Sequence, residues 1–185
     1  MEIMRKKGNM HVNIVGWSRG GVACHMLANY MLADDELKNI KVNILALDPI
    51  VGGLTIVRDV HTKLGSNVEN YIGIFAEDER SHGFDPIVPV TSMNTRINFL
   101  SVPGRHSTLA GNGAVDGAEG VQMVPQVSEL VRDFSEKILR SWGAELNHTL
   151  DFDSQQIENL IKCIEEDSAP YKEMRNKTYT YPTDV

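Results

Sequence analysis

Ser18 stands in the run Gly16-Trp17-Ser18-Arg19-Gly20-Gly21, a G-x-S-x-G pattern whose residue types suit nucleophilic chemistry. A serine hydroxyl attacks only when a base takes its proton and when donors await the developing oxyanion. Upstream, Val12, Ile14 and Val15 form a short β-branched apolar run that predicts a buried strand. Downstream, Val22, Met26, Leu27, Tyr30 and Met31 recur at helical spacing. The serine therefore falls on a strand-to-helix corner, where a strained backbone projects its hydroxyl outward. Gly16 and Gly20 are each expected to permit close backbone approach there. The N–H of Arg19, opening the helix, is expected to serve as an oxyanion donor.

The base for such a serine is normally a histidine, and its imidazolium needs a carboxylate. His106 lies in Pro103-Gly104-Arg105-His106-Ser107, directly off a strand run and beside a tight glycine turn. His11 begins the first strand, at the wrong edge; His25 falls within a helix, His61 in a surface segment, and His148 after a long helix. His82 is the rival, because its loop leaves the correct end of the third strand. Three aspartates compete as the acid. Leu47-Asp48-Pro49 has the short, uncharged setting of a carboxylate dedicated to one partner, whereas Glu77-Asp78-Glu79-Arg80 reads as a solvated, self-paired cluster. Asp48 is preferred, with Asp78 and then Asp85 as alternatives. The plain structural role for Asp48 is capping its own turn, as Asp-Pro pairs do.

Four apolar runs must position these groups: Val12 to Val15, Val42 to Leu47, Tyr71 to Ala76 and Ile97 to Val102. Each ends in polar loop residues, the pattern of an α/β protein with a parallel sheet buried on both faces. Functional groups gather at the carboxyl ends of such strands. Those ends carry, in chain order, Ser18, Asp48, Glu77/Asp78 and His106. The stretch Gly111 to Gly117 reads as a surface loop. Val124 to Trp142 forms an amphipathic helix stopped by Gly143, and Ile157, Leu160, Ile161 and Ile164 form another behind Asp151 and Asp153. Residues 1–150 are thus expected to be a partial catalytic core and 151–185 a C-terminal helix and polar tail, loosely docked from Ser168 onward.

Composition narrows the partners. The 185 residues suffice for one domain, and a net charge of −7 argues against an electrostatically held nucleic acid or anionic membrane. Lipid substrates, held by apolar contacts, stay within scope. No run reaches the length of a membrane span, and Met1 to Met10 lacks the apolar stretch of a signal peptide, so synthesis in the cytoplasm is expected. Cys24 and Cys163 form no C-x-x-C pair and read as two buried free thiols. No Walker A pattern can be written on the glycines, which argues against phosphate binding there. The chemistry needs no cofactor and no metal.

The blocks together resemble a known family. Gly16-Trp17-Ser18-Arg19-Gly20-Gly21 resembles the G-[FW]-S-R-G-[AG] elbow of bacterial and fungal α/β-hydrolases that include the first class of type VI secretion lipase effectors. Ala76-Glu77-Asp78-Glu79-Arg80 is similar to the family's A-x-D-E-R segment, and Pro103-Gly104-Arg105-His106-Ser107 to its P-G-x-H-S segment. The block Ala46 to Gly52 is similar to its strand ending in a catalytic aspartate. The resemblance spans residues 11–111. It implies a parallel-sheet α/β-hydrolase fold and a serine esterase of lipase or phospholipase type. Ser18 would be nucleophile, Asp48 orienting acid and His106 base, in the order Ser, acid, His. It also implies delivery by a non-classical effector route. Most such hydrolases place the acid after the strand after next, which points to Asp78 or Asp85; pancreatic-type lipases place it after the next strand, which points to Asp48.

The chain also departs from the family. Thr108 to Gly113 keeps the glycines that follow the histidine but lacks the usual acid. Family members carry several strands before the elbow, where this sequence has about ten residues. The expectation is the C-terminal part of a longer hydrolase, with an open edge at its first strand. That edge would favour self-association or be completed by an upstream domain. The reading from a different class is a catalytically silent fragment or binding module.

Overall fold

The computed structural model describes residues 11–52, 56–113 and 123–176. The basic N-terminal segment, Gly53, the loop from Ala114 to Gly117 and the tail beyond Asn176 lie outside the described residues.

The chain alternates strand and helix in its first half. Strand β1 (His11–Trp17) leads to helix α1 (Arg19–Ala33), strand β2 (Lys41–Leu47) and the short helix α2 (Asp59–Thr62). Strands β3 (Val68–Ala76) and β4 (Arg96–Val102) follow, then a single 3-10 turn, Thr108–Ala110. Helices α3 (Gln126–Ser141), α4 (Ser154–Glu166) and α5 (Ala169–Asn176) complete the described structure. The strands form one sheet in the order β1-β2-β3-β4, and every neighbouring pair is parallel. The fold class is α/β, as the four apolar runs predict. All four strands end on one side of the molecule, so the residues following them meet there.

Period-two alternation sorts the strand side chains between two cores. Val42, Ile44 and Ala46 of β2, with Val68 and Tyr71 of β3, pack under Cys24, Ala28 and Met31 of α1. Leu45 and Ile74 face the other way, onto Val127, Val131 and Ile138 of α3 and Ile164, Tyr171 and Met174 beyond. Ile44 and Leu45 are fully buried on opposite faces, and each contributes roughly 1.5–3 kcal/mol through removal from water. An asparagine ladder crosses the α3 side. Asn70 Nδ2 donates to Asn43 Oδ1 at 2.6 Å, Asn43 Nδ2 to Asn13 Oδ1 at 2.8 Å, and Asn13 Nδ2 to the Trp142 carbonyl at 3.0 Å. These bonds satisfy polar side chains inside otherwise apolar strands.

The structure corrects several expectations. Burial on both faces holds for β2 and much of β3, but not for β1, where no residue is buried and Val15 is exposed at the sheet edge, nor for β4, where six of seven residues are exposed. Helix α1 packs on β1 and β2. Cys24 is buried, and burial pushes its thiol up to about 11, but Cys163 of α4 is exposed. His61 is buried, not on the surface, with its Nδ1 accepting the Arg58 N–H at 3.1 Å. The segment after Ser168 is not loosely docked as far as Asn176. It forms α5, with Tyr171 and Met174 inside the α3 core.

Two helix ends follow their sequence signals. Gly143, at φ 85°, stops α3 in the left-handed conformation, its N–H donating to the Arg140 carbonyl. Asp153 caps α4, accepting the Gln156 N–H at 2.8 Å while the Gln156 side chain accepts the Asp153 N–H at 2.9 Å.

Candidate active site

Ser18 occupies the corner between β1 and α1 at φ 61° and ψ −132°. A non-glycine residue in that region stores about 1–3 kcal/mol of strain, held by its surroundings. Here the Ser18 N–H donates to the Leu47 carbonyl at 3.0 Å, and the Ser18 carbonyl accepts from Gly21 at 3.0 Å and Ile50 at 3.2 Å. The corner is thus clamped to the end of β2. Its side chain caps nothing.

The glycines divide the work differently from the expectation. A Cβ on Gly16 would lie 2.3 Å from the Gly20 carbonyl oxygen, so only glycine fits where the helix turns back over the strand. A Cβ on Gly20 would meet nothing within 4 Å, so Gly20 is not required by space. Gly21 is the second tight position, because a Cβ there would sit 2.8 Å from Pro49 Cβ. Its role was not read from the pattern, since its neighbour lies on another loop. Arg19 is the first residue of α1, where N–H groups have no intrahelical acceptor. Its side chain is exposed and runs beside Gly52.

Asp48 follows β2 directly, at φ 42°, and is almost wholly buried. Its own N–H donates to the Ile74 carbonyl at 2.7 Å, which fixes its main chain against β3. Oδ1 accepts the Ala76 N–H at 3.2 Å, and Oδ2 lies 2.7 Å from His106 Nδ1. A carboxylate can only accept, so Nδ1 carries the proton of this bond and the other nitrogen, Nε2, is the one left to act as a base. Nε2 is buried and has no hydrogen-bond partner among the described residues. No hydrogen bond joins the Ser18 hydroxyl to this nitrogen. Catalytic hydrogen bonds are often long in the absence of substrate, and a serine hydroxyl rotates freely.

The remaining candidates go elsewhere. Asp78 is fully buried, not solvated: its Oδ2 accepts the Gly104 N–H at 2.7 Å and its Oδ1 is gripped by Arg175 at 2.7 Å. It braces the histidine loop from outside while Asp48 occupies the imidazole. Asp85 and His82 are exposed on the long β3–β4 connection. His25 is buried on the inner face of α1, its Nδ1 2.7 Å from the His61 carbonyl and its Nε2 3.0 Å from the Tyr71 hydroxyl. A carbonyl only accepts, so Nδ1 donates and the Tyr71 O–H donates to Nε2. Burial holds the His25 pKa below its ordinary value of 6.5.

Three further contacts on His106 were missed in the sequence, because their partners are distant along the chain. Glu79 Oε2 accepts the His106 N–H at 3.3 Å, Trp17 stacks on the ring, and Phe84 meets it edge-on. Cavities of about 380 and 250 Å3 lie against α4 and α5, lined in part by Cys163 and Tyr171 and by Asp78 and Arg175 respectively. Neither is lined by Ser18, Asp48 or His106, so the geometry of those three, and not these hollows, marks the site. Among the described residues no cluster of His, Cys, Asp and Glu could hold a metal ion, and no helix is long and apolar enough to cross a membrane. In comparison with known proteins, the chain matches no family model and no curated protein.

Proposed function

We propose that this chain is a serine hydrolase of the α/β-hydrolase type that acts on carboxylic esters. The observation that carries the reading is the buried Asp48–His106 pair, with Nε2 unpartnered, at the strand ends beside a strained Ser18. Ser18 Oγ attacks the ester carbonyl carbon while His106 Nε2 takes the hydroxyl proton and Asp48 holds Nδ1–H. The carbonyl oxygen becomes an oxyanion that the Arg19 N–H stabilises. The intermediate collapses, the C–O bond to the alcohol breaks, and His106 returns its proton to the leaving oxygen. Water, deprotonated by the same nitrogen, then releases the carboxylic acid and restores Ser18.

The substrate class follows from resemblance alone: lipid esters, phospholipids among them. Action as a secreted bacterial effector has the same basis. Labelling with a fluorophosphonate tests the chemistry. One covalent adduct per chain is expected, absent in Ser18→Ala and much slowed in His106→Ala. A chain that stays unlabelled while folded sinks the reading. A catalytically silent module is the second reading, favoured by the missing Ser18–His106 bond and by the outer edge of β1, which pairs with no strand among the described residues. Such a module would bind an ester without turning it over.

A further inference from the structure

Trp17 precedes Ser18 as the last residue of β1, and its indole lies on the His106 imidazole. The ring centroids are 4.9 Å apart and the planes meet at 30°. The same indole donates its Nε1–H to the His106 carbonyl oxygen at 3.0 Å. One side chain therefore holds both the ring and the main chain of the histidine, across 89 positions of sequence. Phe84 closes the ring's edge, with centroids 4.9 Å apart at 80°. The outcome is asymmetric: His106 is 4% exposed, while Trp17 itself remains 40% exposed.

Trp17 belongs to neither hydrophobic core and keeps 40% of its surface in water. Its two contacts converge on one residue. We propose that Trp17 is a positioning residue for His106, its indole pinning the imidazole by the face and the carbonyl by Nε1–H, so that Nδ1–H stays on Asp48 and Nε2 stays available for proton transfer. The proposal rests on the reading of His106 as general base. Asp48 fixes one ring nitrogen but leaves the ring able to tilt about that bond, and a flat neighbour on the face removes the tilt. Phenylalanine would supply the face without the N–H, and leucine neither. Because Trp17 and Ser18 are adjacent, the contact also ties the position of the base to that of the nucleophile. Misplacement of a catalytic group by about 1 Å costs on the order of a hundredfold in rate.

The test uses the full chain and two readouts. Proton NMR reads the far-downfield Nδ1–H of His106, assigned by its loss in His106→Gln, and ester kinetics read kcat and KM. In Trp17→Leu the resonance is expected to broaden away through exchange with water. There kcat should fall about tenfold or more, with KM changed less than about twofold. Trp17→Phe, which restores the flat face, should keep the resonance and recover part of kcat. A folded Trp17→Leu with a sharp resonance and unchanged kcat overturns the proposal, as does a wild-type chain that lacks the resonance. Should the leucine variant not fold, Trp17→Phe decides: kcat indistinguishable from wild type overturns it. If the resonance depends on Trp17 but no form hydrolyses esters, the positioning stands and the hydrolase reading falls.

Discussion

The Arg175 guanidinium grips Asp78 Oδ1 with both Nε and Nη2 at 2.7 Å, joining α5 to the end of β3. Asp78 passes the hold onward, since its Oδ2 accepts the Gly104 N–H and its own N–H donates to the Gly104 carbonyl. Arg105 adds a bond from Nη2 to the Met174 carbonyl at 2.6 Å. The loop that presents His106 is therefore fastened to the C-terminal helix on both sides of Gly104.

Arg175→Ala should destabilise the fold by about 1–3 kcal/mol. Removing one partner of a wholly buried pair costs more, but Arg175 is half exposed, so solvent screening reduces the figure. Chemical denaturation checks it. Fluorophosphonate labelling should slow in the same variant at a pH and temperature where it stays folded, because Gly104 loses its anchor. Unchanged stability would mean that α5 is held by Tyr171 and Met174 alone.

The glycines of the corner should behave oppositely. Gly16→Ala drives a Cβ to within 2.3 Å of the Gly20 carbonyl, where no flexible side chain can yield, and should cost about 3 kcal/mol or more along with the labelling of Ser18. Gly20→Ala meets open space in the first turn of α1 and should change stability by less than about 1 kcal/mol. Thermal melts of the two variants separate these outcomes. Equal damage from both would show that the pattern, and not the close approach, is what matters.

These residues also show where sequence was informative. Ser18, Asp48 and His106 were legible because glycine and proline punctuate the ends of apolar runs, and a parallel sheet brings those ends together. The position of Gly21 against Pro49 was not, because it depends on how two loops meet. Helix α5 was illegible for a related reason. Between Ser168 and Asn176 the buried apolar residues are Pro170, Tyr171 and Met174, too few to trace a helical stripe, so the segment looks like a polar tail. Asp78 looked solvated because its neighbours in sequence are charged, while its actual partner, Arg175, is 97 positions away. The exposure of β4 was hidden because Ile97, Phe99 and Leu100 read as buried, yet they lie on an edge strand of the described sheet.

His25 sets a pH limit on stability. Burial depresses its folded pKa below the ordinary 6.5, so above that value the ring is neutral in both states and its contribution is complete. Below it the unfolded chain takes up a proton that the folded chain resists, and stability falls with pH. Urea denaturation at about pH 7.5 and about pH 5.5 should show wild type losing more stability than His25→Asn over the same interval. Parallel losses in the two proteins would remove His25 as the cause. At alkaline pH the buried Cys24 thiol acts in the other direction, with its contribution lost as pH rises from 9.0 toward about 11.

Kinetics of the three polar side chains give the sharpest separation between an active enzyme and a silent module. Asp48 Oδ2 and His106 Nδ1 form a buried bond at 2.7 Å, and Ser18 sits at the neighbouring strand end. If they act as one unit, Ser18→Ala and His106→Ala should each remove nearly all ester hydrolysis, and the double variant should be scarcely worse. Asp48→Asn keeps the size of the side chain but removes the charge that orients the protonated Nδ1. It should lower kcat by on the order of 10³–10⁴, with KM little changed. Asp85→Asn, on the exposed connection, should leave kcat intact. Burst titration against a chromogenic ester supplies the active-site concentration on which these comparisons depend. Losses that simply multiply between Ser18 and His106 would mean that the two residues act independently, and a shared acyl-transfer mechanism would not survive that result.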